Sequence, residues 1–253
     1  MDVNSDDAIN GQARPLLSVI VPVFNEAATV AQALTALLEE LTPKEIIIVD
    51  DGSTDTTAGV VESWESSVPG MAHSAGRIIC IRHPVNRGKG SAVRTALEHA
   101  TGRFVVVQDA DLEVQPDCFP KLLKPLCDGT ADFVIGYRRN SRKSSAVFHW
   151  FGVKLLGIVT RLLYGYRVHD AACCYKVLSL ENLRAIQLEA DRFEFCPEVL
   201  AKVCRMKLRI SQVPVDYFPR SIRNGKKLRL LKDGWKAVQT LFRYRLWSPS
   251  RDS

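Results

Sequence analysis

The sequence predicts an α/β fold: a mostly parallel central sheet with helices on both faces. Three observations support this. Short apolar runs of strand length recur, among them SVIVPV, IIIV, RIICIRH, FVVV and FVIG. Stretches with the apolar spacing of helices alternate with them, which is the pattern of parallel strands joined by crossover helices. Polar and charged residues gather where the runs end, and in such sheets ligands bind beyond the carboxyl ends of the strands.

The elements follow in order. Residues 17–24 read as a buried strand, ended by Asn25 and Glu26, and residues 28–40 as an amphipathic helix. KEIIIVDDGSTD holds a second buried strand over residues 46–49 that ends in Asp50 and Asp51. Gly52 and Ser53 make a turn, after which Thr54 or Asp55 caps the next helix. RIICIRH is a third strand, and NRGKGSAVRTALEHA is a glycine-bearing loop that opens a helix. RFVVVQDADLEV and ADFVIGYR are the fourth and fifth strands. Beyond Arg139 come a basic loop, an apolar segment over 147–164 that is too short and too charged to span a membrane comfortably, and a helix followed by a strand. A basic loop and a basic amphipathic helix end the chain. The organisation expected is a flexible leader (1–16), one domain (17–225) and a basic amphipathic C-terminal segment (226–253).

Five strand ends thus bring polar groups to one edge: Asn25 and Glu26, Asp50 and Asp51, residues 86–89, residues 109–113, and Arg138. In extended chain Asp109, Asp111 and Glu113 share one face. Carboxylates so spaced suit a hard divalent cation, and a nucleotide-bound magnesium or manganese takes one or two carboxylates plus phosphates. A carboxylate at Asp50 or Asp51 suits a nucleobase or ribose, and Gly52 allows close backbone approach. Arg87 and Lys89 precede a helix and suit phosphates. Together they describe a metal-dependent nucleotide-sugar site.

Composition narrows the class. The 253 residues are 46% hydrophobic and 25% charged, ordinary globular values. The net charge of +6 is concentrated from Arg138 onward, which points to an anionic partner for the C-terminal part. Seven cysteines without a CxxC pair argue against a disulfide framework and for a reducing compartment. No apolar signal-peptide core opens the chain.

SVIVPVFNEAATV, IIIVDDGSTDTT, NRGKGSAVRTAL and DADLEVQP resemble the family 2 glycosyltransferases of the GT-A fold, a Rossmann-like architecture. HDAACCYKV, DRFEFCPEVLAK, VPVDYFPRSIRNGKKL and DGWKAVQTLFRYR resemble the dolichyl-phosphate mannosyltransferases and bacterial polyprenyl-phosphate glycosyltransferases among them. The resemblance implies a nucleotide-binding role for Pro22, Asn25, Glu26 and Asp51. It implies metal binding by Asp109 and Asp111 around Ala110, with Glu113 as third ligand, and a basic residue facing the donor at Arg138. Arg220 with Lys226 or Lys227 matches a motif for diphosphate and acceptor phosphate, and Asp170 stands where relatives have an acid near the acceptor. HDAACCYK departs from the Asp-Pro-x-Ser-Gly-Phe-Arg pattern of these relatives.

The reaction so implied is inverting transfer of a hexose from a UDP- or GDP-sugar to a polyprenyl or dolichyl phosphate, with Mg2+ or Mn2+. The expected location is cytoplasmic, peripheral on the cytoplasmic membrane face, with segments 147–164 and 229–247 at the anionic surface. Nucleic acid is not an expected partner. Two alternatives are a soluble glycosyltransferase with a hydroxyl acceptor, for which Asp170 or Glu113 would be the base, and a non-catalytic module that binds anionic membranes. Nucleotidyl transfer, which releases pyrophosphate, is a further possibility for paired acids.

Overall fold

A computed structural model describes residues 8–9, 12–68, 75–139, 147–219 and 230–249. Inside the expected leader, β1 (Ala8–Ile9) pairs antiparallel with β2 (Gln12–Ala13). Arg14 then donates to the carbonyls of Thr101 and Gly102 at 2.7 and 3.1 Å.

One seven-stranded sheet organises the rest. β3 (Leu17–Val23) is flanked by β4 (Lys44–Asp50) and β6 (Phe104–Val107), both parallel to it, and β5 (Ala75–Arg82) lies parallel outside β4. On the other side β8 (Lys176–Ser179) runs antiparallel between β6 and β7 (Phe133–Arg138), and β9 (Ile210–Val215) closes the sheet parallel to β7. The mostly parallel sheet is as expected. β8, an antiparallel strand between β6 and β7, was not among the expected strands.

Helices cover both faces. α1 (Val30–Glu39), α2 (Thr57–Ser67) and α4 (Phe119–Cys127) pack on one. α3 (Lys89–His99), α5 (Val147–Tyr164), α7 (Phe195–Arg205) and α8 (Leu230–Arg243) pack on the other, with the short α6 (Leu180–Ala185). Val19, Val21, Ile46 and Ile48 point to the first core, and Ile20, Ile47 and Val49 to the second. A strand with both faces buried needs apolar residues at consecutive positions, which is why these runs do not alternate with polar residues. α2 starts later than expected: its N-cap is Thr56, not Thr54 or Asp55, and makes no side-chain cap bond, while the Asp55 carboxylate just before it accepts the Thr57 N–H at 2.9 Å.

The amino edge is clamped by one buried carboxylate. Glu45 accepts the Ser18 hydroxyl (2.6 Å) and the N–H groups of Thr101 (2.6 Å) and Gly102 (3.0 Å), joining β4 to β3 and to the entry of β6. The opposite, carboxyl edge is left to the ends of β3, β4, β5, β6, β7 and β9.

Candidate active site at the carboxyl edge of the sheet

The chain runs from β3 outward to β5 and returns on the other side of β3 as β6, so the strand order reverses between β3 and β6. Such reversals open the crevice where ligands bind in α/β sheets. Pro22 stands at its mouth. The β3–β6 ladder ends at Ile20 paired with Val107, so the missing N–H of Pro22 faces no strand. A proline inside a central strand is tolerated only in such a place.

The first two strand turns lock together. Asn25 adopts φ +50°, a left-handed conformation asparagine accepts more readily than most residues. Its N–H donates to Ser53 Oγ (3.0 Å), its Oδ1 accepts the Thr54 N–H (2.8 Å), and the Glu26 N–H donates to Thr57 Oγ1 (2.9 Å). Gly52 has φ +68°, and a Cβ there would lie 2.4 Å from the Val85 carbonyl carbon. Asp50 accepts the Ser53 N–H at 3.0 Å with Oδ1. Its Oδ2 is buried without a hydrogen bond, although Arg82 Nε lies 3.4 Å away, too poorly aimed to satisfy it.

Asp51 is turned inward. Its carboxylate accepts the N–H groups of Arg87 (3.0 Å) and Gly88 (2.7 Å) and touches His83 Nδ1 at 2.7 Å, while His83 Nε2 lies 3.0 Å from Thr95 Oγ1. In this arrangement the Asp51 carboxylate holds the loop amides. Asp51 shapes residues 86–89, and the loop delivers Lys89 to the crevice.

Lys89 ion-pairs with Asp109. Burial alone would lower the amine's pKa, but the Asp109 carboxylate holds it above the ordinary lysine range. Residues 109–114 do not continue β6 as extended chain. They turn, with Leu112 at φ +60°, so Asp109, Asp111 and Glu113 converge through a turn rather than through strand alternation. The Glu113 N–H donates to Asp111 Oδ1 at 3.0 Å, and Ala110 is buried in the core between the acids. Gln108, buried at the end of β6, spans the turn. Its Nε2 donates to the carbonyls of Asp109 (3.0 Å) and Val114 (3.1 Å), and its Oε1 accepts the Tyr175 hydroxyl. Gln108→Leu leaves these partners unmade, at about 1–3 kcal/mol for each buried group. We expect a urea midpoint well below wild type; an unchanged midpoint would show that the turn stands without Gln108.

The far wall is Arg138, at the end of β7. It grips Asp170 bidentately, Nε to Oδ2 at 2.6 Å and Nη2 to Oδ1 at 2.9 Å, with Cζ 5.1 Å from the Tyr217 ring centre. Asp170 is buried and the Arg138 side chain nearly so, 9% exposed. Burial pushes the Asp170 carboxyl up, but the guanidinium outweighs it and holds the acid below its usual range. The Tyr217 hydroxyl donates to Glu113 Oε2 at 3.2 Å, and burial followed by Glu113 pushes its pKa up to about 12. A cleft of about 290 Å³ results, lined by Asp109, Asp111, Glu113, Arg138, Cys173 and Tyr217 among others. Among the described residues, no three His, Cys, Asp or Glu side chains form a group that could hold a metal ion by themselves.

The structure therefore brings together Asp109, Asp111, Glu113, Lys89, Arg138 and Asp170, with Pro22, Asn25, Glu26, Asp50 and Asp51 framing the crevice beside them. Arg220, Lys226 and Lys227 lie outside the described residues. His83, Gln108 and Tyr217 were not foreseen. The only sequence signal for Gln108 was a polar residue directly after an apolar strand and before the acids.

The reversing, mostly parallel sheet with an acidic turn and basic side chains at its switch point is the GT-A fold. The family model "Glycosyl transferase family 2" matches residues 18–186, and the chain belongs to that family of glycosyltransferases. It is 31% identical over 216 residues to a UDP-N-acetylglucosamine–dolichyl-phosphate N-acetylglucosaminyltransferase of Methanococcus voltae, covering 80% of this chain and 86% of that one. A dolichyl-phosphate β-glucosyltransferase of Trichomonas vaginalis is 30% identical, covering 79% of this chain and 65% of its own. A dodecaprenyl-phosphate galacturonate synthase of Rhizobium johnstonii is 27% identical, covering 81% and 59%. Among solved structures, glucosyl-3-phosphoglycerate synthase of Mycobacterium tuberculosis with UDP shares the fold, with a TM-score of 0.70 at 23% identity over 93% of this chain and 82% of that one. The same protein has also been crystallised with Mn2+ or Mg2+.

Proposed function

We propose that this glycosyltransferase moves a hexose from a UDP- or GDP-sugar to a polyprenyl or dolichyl phosphate, with inversion, at the cytoplasmic face of a membrane. The observation that carries the reading is a single cleft that sets three carboxylates opposite a buried arginine. The donor set is all carboxylate oxygen, which fits magnesium or manganese. Asp109 and Asp111, with Glu113 beside them, would hold it, and it would supply charge neutralisation at the diphosphate.

The chain's own residues account for the rest. An acceptor phosphate oxygen forms the bond to the anomeric carbon as the bond to the donor diphosphate breaks, and nucleoside diphosphate leaves. Lys89 and Arg138 present fixed positive charge where the leaving group gathers negative charge. Asp170 holds the Arg138 guanidinium in its plane. Its low pKa and its engagement with Arg138 make it a poor proton acceptor. That favours an acceptor that arrives as an anion over a hydroxyl that needs a base. Arg220 and Lys226 or Lys227 would meet the acceptor phosphate.

No helix among the described residues is long and apolar enough to cross a membrane. α5 and α8 pack on each other, and both leave large apolar side chains exposed: Leu155, Ile158 and Leu162 on α5, Trp235 and Phe242 on α8. Exposed Lys154, Arg161 and Arg243 accompany them. Apolar residues interleaved with cations suit an anionic interface.

The test is nucleoside diphosphate release from a panel of UDP- and GDP-sugars, with metal, with and without a short polyprenyl phosphate. Release that requires the lipid phosphate is expected. Release with sugar hydroxyl acceptors alone would replace the lipid reading by the soluble one. No release from any donor would leave a membrane-binding module. In vesicle flotation, protein that stays at the bottom would remove the interfacial role of α5 and α8.

A further inference from the structure

The loop that carries Lys89 does not stand by itself. Gly88 has φ +101°, and a Cβ on it would lie 2.4 Å from the Asp191 carbonyl oxygen. A Cβ on Gly90 would lie 2.0 Å from that of Ala190. The loop therefore rests backbone on backbone against residues 190–191. The Ser91 N–H donates to the Asp191 carbonyl (3.1 Å), and Arg94 donates to the Ala190 carbonyl (2.5 Å) and pairs with the Asp191 carboxylate.

That support is itself held by a buried ion pair. Gln187 takes φ +46°, and the N–H groups of Glu189 and Ala190 both donate to the Glu198 carboxylate at 2.8 Å. Glu198 and Lys202, one helical turn apart on α7, are fully buried and paired at 2.7 Å. Lys202 also donates to the Gln187 carbonyl (2.8 Å) and to Glu189 Oε1 (3.2 Å). The second oxygen of Glu189 faces the C-terminal helix, accepting from Arg243 Nη2 (3.0 Å) and the Tyr244 hydroxyl (3.2 Å). Lys202 Nζ sits 4.5 Å from the centre of the Tyr244 ring.

We propose that Glu189 is a positioning residue that couples the C-terminal helix to the donor site: it ties α8 to the 187–191 turn on which the Lys89 loop is seated. One carboxylate oxygen binds the turn's lysine and the other binds the end of α8. A displacement of α8 is therefore transmitted to residues 190–191 and from there to Gly88 and Gly90. The exposed apolar side chains of α8 then lie at the outer end of a contact path whose inner end is the Lys89–Asp109 pair. The inference rests on the assignment of this cleft to the nucleotide-sugar donor.

The experiment titrates the full chain with uridine diphosphate and with guanosine diphosphate, each with manganese, by calorimetry. Glu189→Gln is expected to weaken binding of the preferred nucleotide about fivefold, in the range typical of coupling networks. Lys89→Met is expected to weaken it further. Adding Glu189→Gln to Lys89→Met should then change nothing more, because both act through the same amine. Equal affinity in wild type and Glu189→Gln overturns the proposal, as does an additive loss in the double variant, which would mark a merely structural role. Should Glu189→Gln fail to fold, Tyr244→Phe removes one hydroxyl from the same carboxylate, and a smaller loss of the same sign is expected; none would overturn the proposal. If neither nucleotide binds the wild type, the donor-site reading fails first and the coupling falls with it.

Discussion

Asp111→Asn is expected to lower nucleoside diphosphate release by about a hundredfold to a thousandfold, the scale on which a pre-organised electrostatic group acts. The substitution keeps an acceptor oxygen for the Glu113 N–H that Asp111 Oδ1 now binds. What disappears is a negative charge on the wall of the cleft, opposite Arg138. The melting temperature should stay close to wild type while turnover collapses. Comparable release from wild type and variant would remove Asp111 from the machinery, and with it the metal assignment.

The second large effect concerns the opposite wall. Arg138→Met strands the Asp170 carboxylate in a buried site, and breaking one side of a buried ion pair costs about 3–5 kcal/mol. Adding Asp170→Asn removes the stranded charge and should restore part of the stability without restoring transfer. Acid titration supplies an independent check. Arg138 depresses the Asp170 pKa, so the pair's contribution is fully present above the unfolded carboxyl value, about pH 4. It is lost as pH falls through the lower folded value. The stability gap between wild type and Asp170→Asn should therefore be full at pH 7 and close on acidification below about pH 4. A gap that does not change with pH would mean that Asp170 is not held as an anion.

The first half of the fold was legible because its strands are apolar at consecutive positions and bounded by polar residues, a local signal. The edge on which Asn25, Asp50, Lys89, Asp109 and Arg138 gather follows from that pattern, since parallel strands put their carboxyl ends together. Geometry within the edge was less legible. Asp109, Asp111 and Glu113 read as one face of a strand, but a left-handed Leu112 makes a turn, and nothing in Leu112 itself announces a positive φ. Asp51 read as a ligand contact, and its hold on the loop amides did not show in the sequence. A carboxylate facing outward and one facing inward are identical in sequence. β8 has four residues, begins with a lysine and follows two cysteines, so neither its strand character nor its direction shows in composition. Glu113 and Tyr217 meet across 104 positions, a separation at which one sequence carries no pairing signal.

The place of β8 has a consequence for how the chain is made. β7 is synthesised before β8 but pairs with β8 and β9 and not with β6. A nascent chain that ends before residue 176 can assemble β5, β4, β3 and β6, which pair among themselves. Its β7 then has no ladder to join, and one edge of β6 is bare. Exposed strand edges of this kind are where incomplete chains associate with one another. The 37 residues between β7 and β8 (139–175) thus separate the four strands that pair among themselves from the four residues, Lys176–Ser179, that cover the edge of β6.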